Sequence, residues 1–382
     1  MTILFVCTSL EPGRDGVGDY TRLLASGCAD AGHTCALLAI HDEHASAPIV
    51  EEIQMERGHA LPVLRLSPAK AWTARFERAH AFVETHAPDW VSWQIVPYGF
   101  HPKGIIPDSA FEFSRLGAGR HNHVLLHELW IGLSFGEPFK NRMYGFFQRR
   151  ALIEFIQNIA PEVIDTTNPA YRAALIRHGC APGVLPLCGN IPVEPMPPVP
   201  RGLEWTGGIF GTLHPQLDPR ACISALARAA GAARCTLRIL GFGRLGAHGD
   251  KLFAQLKNEY AGRVAFENLG ERSPAEISRL LQSLDFGIAT HPWALIGKSG
   301  AVAAMLDHGL PVIVPRDDWS LRQPPTPPPL RDPLIVRLSD TPSELMAGWL
   351  ARRRPPQPRL AALASAFLSR LDSIHDSPLL QQ

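Results

Sequence analysis

Short runs of consecutive apolar, β-forming residues recur along this chain, separated by turn-rich stretches and helical patterns. Ile3-Leu4-Phe5-Val6-Cys7 is the first such run. A strand with one wet face alternates apolar with polar residues, whereas an unbroken apolar run belongs to a strand covered on both faces, as in a parallel sheet flanked by helices. A turn-rich stretch, Glu11 to Asp19, follows; then Tyr20, Leu23, Leu24 and Cys28 recur at helical spacing until Gly32, and a second run spans Cys35 to Ile40. This β-loop-α-β order is the unit of a doubly wound parallel sheet.

The same grammar continues through the chain. Trp90–Val96, His123–His127 and Val163–Thr167 read as further strands of a first half. In a second half Gly208–Gly211, Leu237–Leu240, Arg263–Leu269, Phe286–Thr290 and Pro311–Val314 read as strands, with helices at Pro219–Ala230, Pro274–Leu284 and from Gly300. Between the halves lies Asn190–Arg201, dense in proline and expected to be a stiff linker. The expected organisation is therefore a first domain over 1–190, a linker over 191–202, a second domain over 203–340 and terminal helices over 341–382 that pack back toward the first domain. A second proline cluster, Gln323–Pro333, reads as a surface excursion of the second domain. With 382 residues the chain is long enough for two domains.

Charge and cysteine usage exclude several classes. A net charge of +1 argues against a nucleic-acid binder that works through a large field. The seven cysteines show no CxxC spacing, so neither a zinc site nor a disulfide framework is expected. No apolar run approaches the ~18 residues of a membrane span, and the first residues lack the pattern of a signal peptide. The expectation is a cytoplasmic protein, with peripheral membrane contact left open and no strongly basic amphipathic helix evident.

Loops at the carboxyl ends of parallel strands are where such folds hold ligands. Gly16, Val17 and Gly18, in the Gly13–Asp19 loop between the first strand and helix, allow close backbone approach, and the helix N-terminus that follows favours an anion or polar ligand, although the spacing departs from GxGxxG and disfavours nicotinamide or flavin. Gly297, Lys298, Ser299 and Gly300 combine a lysine with a helix start, which suits a phosphate or diphosphate. The run resembles a P-loop whose first glycine is Pro292, leaving NTP hydrolysis as a weak reading. His127, at the end of an apolar strand, is placed to hydrogen-bond a sugar hydroxyl or to act as acid or base. Arg244, in a loop after Leu240, could offset phosphate charge. Gln94, Tyr98 and His101 are candidates for an acceptor pocket.

Taken in order, these segments resemble the GT-B glycosyltransferases, closest to the retaining family-4 group: the Ile3–His33 segment, Val124–Trp130, Val163–Gly179, Leu237–Arg244, Arg263–Pro292 and Gly297–Pro315 follow that group's order across most of the chain. The resemblance implies two Rossmann-like doubly wound parallel-sheet domains facing a cleft. It further implies a nucleotide-diphosphate sugar as donor substrate, a glycan, lipid-linked or small-molecule acceptor, retention of configuration, and neither metal nor cofactor. It places His127 at the donor sugar. The chain departs from the group at its two usual glutamates, whose places hold Ile296 and Ala304, and Thr212 stands where an arginine is usual. The departures motivate an alternative, a catalytically silent GT-B protein that binds nucleotide or glycan or supports a partner enzyme.

Overall fold

Strand β1 (Thr2–Cys7) lies at the centre of an eight-stranded sheet because its residues from Ile3 to Cys7 are all buried. Helix α1 (Gly16–Asp30) returns the chain to β2 (Thr34–Ala39), and an antiparallel hairpin of β3 (Ile49–Glu56) and β4 (His59–Leu66) finishes that edge. After α2 (Trp72–His86) the chain crosses to the other side of β1 and lays down β5 (Trp90–Ile95). Next come α3 (Pro97–Phe100), α4 (Ala110–Leu116), β6 (His121–Leu126), the long α5 (Phe139–Ile159), β7 (Val163–Thr166), α6 (Pro169–Ile176) and the short β8 (Gly183–Val184). The strand order β3-β4-β2-β1-β5-β6-β7-β8 is parallel except for β3. Its direction reverses between β1 and β5, the kind of switch point where open α/β sheets form a crevice.

The second sheet has six parallel strands in the order β11-β10-β9-β12-β13-β14. Its elements are β9 (Glu204–Phe210), α7 (Arg220–Ala232), β10 (Thr236–Phe242), α8 (Gly246–Glu259), β11 (Val264–Gly270), α9 (Pro274–Ser283), β12 (Phe286–Ile288), α10 (Gly300–Asp307), β13 (Val312–Val314) and β14 (Ile335–Arg337). A short helix, α11 (Met346–Leu350), follows, and α12 (Leu360–Asp372) is the last helix. Here the switch point lies between β9 and β12. Gly207 and Gly208 in β9 admit the rings of Phe286 and Phe242, where any Cβ would collide with the side chains packed over the strand.

The computed structural model describes residues 1–107, 110–197 and 202–373. Two compact units are present: one comprises Met1–Pro186, Leu321–Pro327 and Leu360–Gln382, the other Leu187–Ser320 and Pro328–Arg359. Three details differ from the sequence reading. The proline-dense stretch after Leu187 is not a bare spacer: Ile191 is buried in the core of the second unit, and Gln282 Nε2 donates to the Glu194 carbonyl at 2.8 Å. Residues 198–201 of that stretch, and residues 374–382, lie outside the described residues. The start of the second proline cluster joins the first unit, where Leu321 bridges Ser134 and the Arg322 amide donates to the Leu133 carbonyl at 2.9 Å. Finally, residues 341–382 split, so that only α12 lies on the first unit, inserting Phe367 beside Phe5 at 5.7 Å between ring centres.

Candidate functional site

In the first unit, the loop after β1 is tied down by a buried carboxylate. Asp42 accepts from Ser9 Oγ at 2.9 Å, the Leu10 amide at 3.0 Å, the His44 amide at 3.0 Å and Arg65 Nε at 2.7 Å. Burial alone would raise its pKa, but these donors outweigh burial and hold it below the usual carboxylate range. Gly18 is required here for packing, since a Cβ would fall on the Ser9 carbonyl. The amides of Val17 and Gly18 do not face an open anion site: Asp15, the N-cap of α1, accepts from both, at 2.9 and 2.7 Å. That capping carboxylate, its pKa raised by burial, occupies the amides that the glycine loop offers to an anion or polar ligand. Gly16 has open space around it.

His127 directly follows β6, its amide donating to the Ile95 carbonyl at the end of β5. It therefore sits beside the switch point, with the ring of Tyr20 packed edge-on at 5.0 Å. Its Nε2 pairs with Gln94 Oε1 at 3.0 Å, Gln94 Nε2 donates to Ser92 Oγ at 2.8 Å, and Ser92 Oγ meets His123 Nδ1 at 2.8 Å. His123 Nε2 then reaches Asp165 Oδ2 at 3.3 Å, and Arg370 Nε donates to the same oxygen at 2.6 Å. The carboxylate accepts only, so His123 must donate from Nε2 and offer Nδ1 to the Ser92 hydroxyl. The direction propagates, leaving His127 protonated on Nε2 with its Nδ1 lone pair available. Burial, with a further push from His123, lowers the His127 pKa to about 3, so the imidazole is neutral near pH 7.

The other residues expected near this pocket divide. Gln94 is fully buried behind His127 and orients it, rather than lining an acceptor pocket. Tyr98 is exposed and its hydroxyl accepts from Gln148 Nε2 at 3.1 Å; His101 is exposed and its Nδ1 accepts from the Lys103 amide at 3.1 Å.

In the second unit, loops after β9, β12 and β13 bring four cationic or titratable groups to the switch point. His214 follows β9, His291 follows β12, Lys298 ends a 3-10 helix at Trp293–Lys298, and Arg316 follows β13. Arg316 is buried and fixed: it donates to Asp318 at 3.1 and 2.8 Å, to the Thr290 carbonyl at 3.3 Å and to Gln216 Oε1 at 3.0 Å. Burial, then Lys298, Arg316 and His214, push the His291 pKa down to about 3, and its Nδ1 is shielded with no hydrogen-bond partner. His214 is lowered by burial and by Arg316. After burial, it is these neighbouring cations that lower both rings, with Asp318 offsetting part of Arg316, so basic side chains gather in one place, a setting that suits an anion. Gly211, at φ +86°, turns the β9 loop so that a Cβ there would lie 3.7 Å from Ala301 Cβ, which puts that loop beside the start of α10.

The Gly297–Gly300 run is not a P-loop. Gly297 and Lys298 belong to the 3-10 helix, and Ser299 is the N-cap of α10, accepting from the Val302 amide at 3.3 Å. Thr212 is exposed one residue past Gly211. Arg244 lies on the surface with its side chain about half exposed and paired with Glu271 at 3.5 Å, while the residues after it, from Gly246, open α8 instead of prolonging a loop. Ile296 and Ala304 are both core residues, and Gly189 packs so closely on Ala304 that a Cβ on Gly189 would lie 2.6 Å from its Cα. A glutamate at 304 has no room there. His214, His291 and Arg316 were missed as a group because they are distributed over a hundred residues, and only the strand order unites them. Among the described residues no cluster of three or more histidine, cysteine or acidic side chains could hold a metal ion.

No family model matches the chain, and no curated protein matches it in sequence. Solved structures do match it in fold. Anabaena HepE in complex with UDP and glucose superposes with a TM-score of 0.53 at 15% identity, covering 98% of both chains. The apo form of the lipopolysaccharide outer core galactosyltransferase WaaB gives 0.53 at 13% identity, covering 98% of this chain and 100% of that one. A glycosyltransferase from Rickettsia africae gives 0.55 at 11% identity over 98% of this chain and 99% of that one. With its two parallel-sheet units, the chain has the α/β fold of the GT-B glycosyltransferases.

Proposed function

We propose that the protein is a glycosyltransferase that takes a sugar from a nucleotide-diphosphate donor to an acceptor hydroxyl, with retention and without a metal. The observation that carries this reading is the convergence of His214, His291, Lys298 and Arg316 at the switch point of the second sheet. In the transfer, the bond from the anomeric carbon to the β-phosphate oxygen breaks and a bond to the acceptor oxygen forms, the acceptor hydroxyl's proton passing to the departing phosphate oxygen, so negative charge develops on the diphosphate as its bond breaks. Fixed cations stabilise that charge without reorganising, because Arg316 is already held by Asp318, Gln216 and Thr290. Lys298, at the end of the 3-10 turn before α10, supplies a second charge. The proposal gains support from the UDP and UDP-glucose held by HepE and from the galactosyl transfer named for WaaB.

In the first unit, His127 contributes a hydrogen-bond acceptor at Nδ1 for a sugar hydroxyl. Its low pKa makes it a poor general base near neutral pH, so the proposed role is orientation. Absence of the family-4 glutamates removes two carboxylate contacts to the donor and shifts donor recognition to the cations. Incubation with UDP-, GDP- and ADP-sugars, following release of the nucleoside diphosphate with and without candidate acceptors, tests the reading. Release that depends on Lys298 supports it; binding with no release under any acceptor mixture supports the silent alternative.

A further inference from the structure

Helix α5 carries two apolar faces. At 100° per residue, Gly145, Gln148, Leu152, Phe155 and Ile156 point to one side, and all are buried. Gly145 lies directly against the Ile131 carbonyl, and Gln148 clamps the same side by accepting from the Ile131 amide at 2.8 Å and donating to the Lys103 carbonyl at 2.6 Å. The opposite side is also apolar. Phe139, Met143, Phe146 and Phe147 are 69%, 52%, 50% and 56% exposed, joined by Tyr144 and by Phe135 in the preceding loop at 71%. Six of the fourteen exposed large hydrophobics among the described residues fall within these thirteen positions, so they form one patch rather than the usual scatter.

Cations frame this patch. Between residues 131 and 153 the chain has Lys140, Arg142, Arg149 and Arg150 against the single acid Glu137. Glu137 is turned into its own loop, accepting from the Gly132 and Ser134 amides at 2.9 and 3.1 Å. Four of the rings have a cation beside them: Arg142 at 5.8 Å from Phe139, Lys140 at 5.9 Å from Tyr144, Arg149 at 5.4 Å from Phe146 and Arg322 at 5.9 Å from Phe135. Three of these arginines, Arg142, Arg149 and Arg322, also line a cavity of about 360 Å³ against the Trp130–Gly132 loop, with room for a phosphate-bearing headgroup.

We propose that the outer face of α5, with Phe135, docks on a bilayer containing anionic phospholipid. Aromatic rings inserted at the level of the headgroups, with arginines and lysines meeting lipid phosphates around them, are the physical pattern of an interfacial helix. A second copy of the chain fits less well, because a two-fold contact through this face would bring the same cations against one another. Sequence periodicity hid the surface because residues on both sides of α5 are apolar, which erases the amphipathic stripe. No helix among the described residues is long and apolar enough to cross a membrane, so the contact is one of surface docking.

The test is co-sedimentation of the full chain with vesicles of phosphatidylcholine alone or with about 30 mol% phosphatidylglycerol, at ~0.1 and ~0.5 M salt. No sugar donor is present, so the outcome is independent of the proposed transfer reaction. Wild-type protein should bind the anionic vesicles and lose most of that binding at the higher salt, an arm that needs no variant. Phe139→Ser with Phe147→Ser, and separately Lys140→Glu with Arg150→Glu, should each weaken partitioning by about tenfold or more with the far-UV spectrum unchanged. Wild-type protein that stays in the supernatant, or variants that bind as well as wild type, would overturn the proposal. So would a solution dimer that the two serines dissolve in the absence of any vesicle binding.

Discussion

Replacing Ser92 by alanine removes the middle link of the buried chain from His127 to Asp165. Two groups lose their partner at once: the Gln94 Nε2–H, now 2.8 Å from nothing that accepts, and His123 Nδ1, which accepted at 2.8 Å. Ser92, Gln94 and His123 are all fully buried, so water does not compensate either group. An unsatisfied buried polar group costs about 1–3 kcal/mol, giving roughly 2–6 kcal/mol for the pair. That is a large share of a native stability of about 5–15 kcal/mol, yet it leaves a folded protein at low temperature. Urea unfolding measures the loss. Long-range ¹H–¹⁵N spectra of the histidine rings then read the second consequence, that His127 no longer holds one tautomer. In wild-type protein the rings of His123 and His127 should both carry the proton on Nε2. A Ser92→Ala variant within ~0.5 kcal/mol of wild type, or a wild-type His127 protonated on Nδ1, would refute the reasoning.

Other consequences concern pH, packing and the cation cluster. The unfolded chain takes a proton on His127 below its ordinary pKa of about 6.5, whereas the native ring refuses one until about pH 3. Unfolding thus binds protons in that window, and stability should fall as pH drops through it, by up to about 1.4 kcal/mol per pH unit for this group; urea midpoints against pH should show a shallower slope in His127→Gln. Gly18→Ala forces a methyl onto the Ser9 carbonyl and should cost about 1–3 kcal/mol in thermal unfolding, whereas Gly16→Ala, with open space around it, should cost far less. An anion bound beside Lys298 and Arg316 would offset the charged neighbours that, after burial, lower His214 and His291. Binding of UDP should therefore take up protons near pH 6, seen as a calorimetric enthalpy that changes with the ionisation enthalpy of the buffer.

How much of this was legible from the sequence depends on the kind of signal. Strands β1, β5, β6, β10, β12 and β13 announce themselves as short apolar runs because both of their faces are covered. The hairpin of β3 and β4 does not, since Ile49–Glu56 alternates exposed with half-buried residues at the sheet edge and mimics a polar loop. His127 was identifiable from its position after an apolar strand, but the groups that orient it, Ser92, His123 and Asp165, come from three strands paired only in the folded sheet. The glycine loop at residues 16–18 is ambiguous for a local reason. A glycine-rich helix start looks the same whether its amides await a ligand or, as here, are taken by the preceding aspartate. Lys298 was found by its neighbours in sequence, whereas Arg316 lies beyond β13 and joins the cluster through the strand order alone.

Calorimetric titration of UDP into wild-type protein, Lys298→Ala and Arg244→Ala tests most directly where the donor diphosphate binds. Loss of one cation from a phosphate site costs about 1.5–3 kcal/mol, which corresponds to a Kd raised by roughly ten- to hundredfold. The cation cluster predicts that rise for Lys298→Ala and an unchanged Kd for Arg244→Ala, whose side chain is spent on Glu271 at the surface. Equal affinity in wild type and Lys298→Ala, or a loss confined to Arg244→Ala, would contradict the assignment.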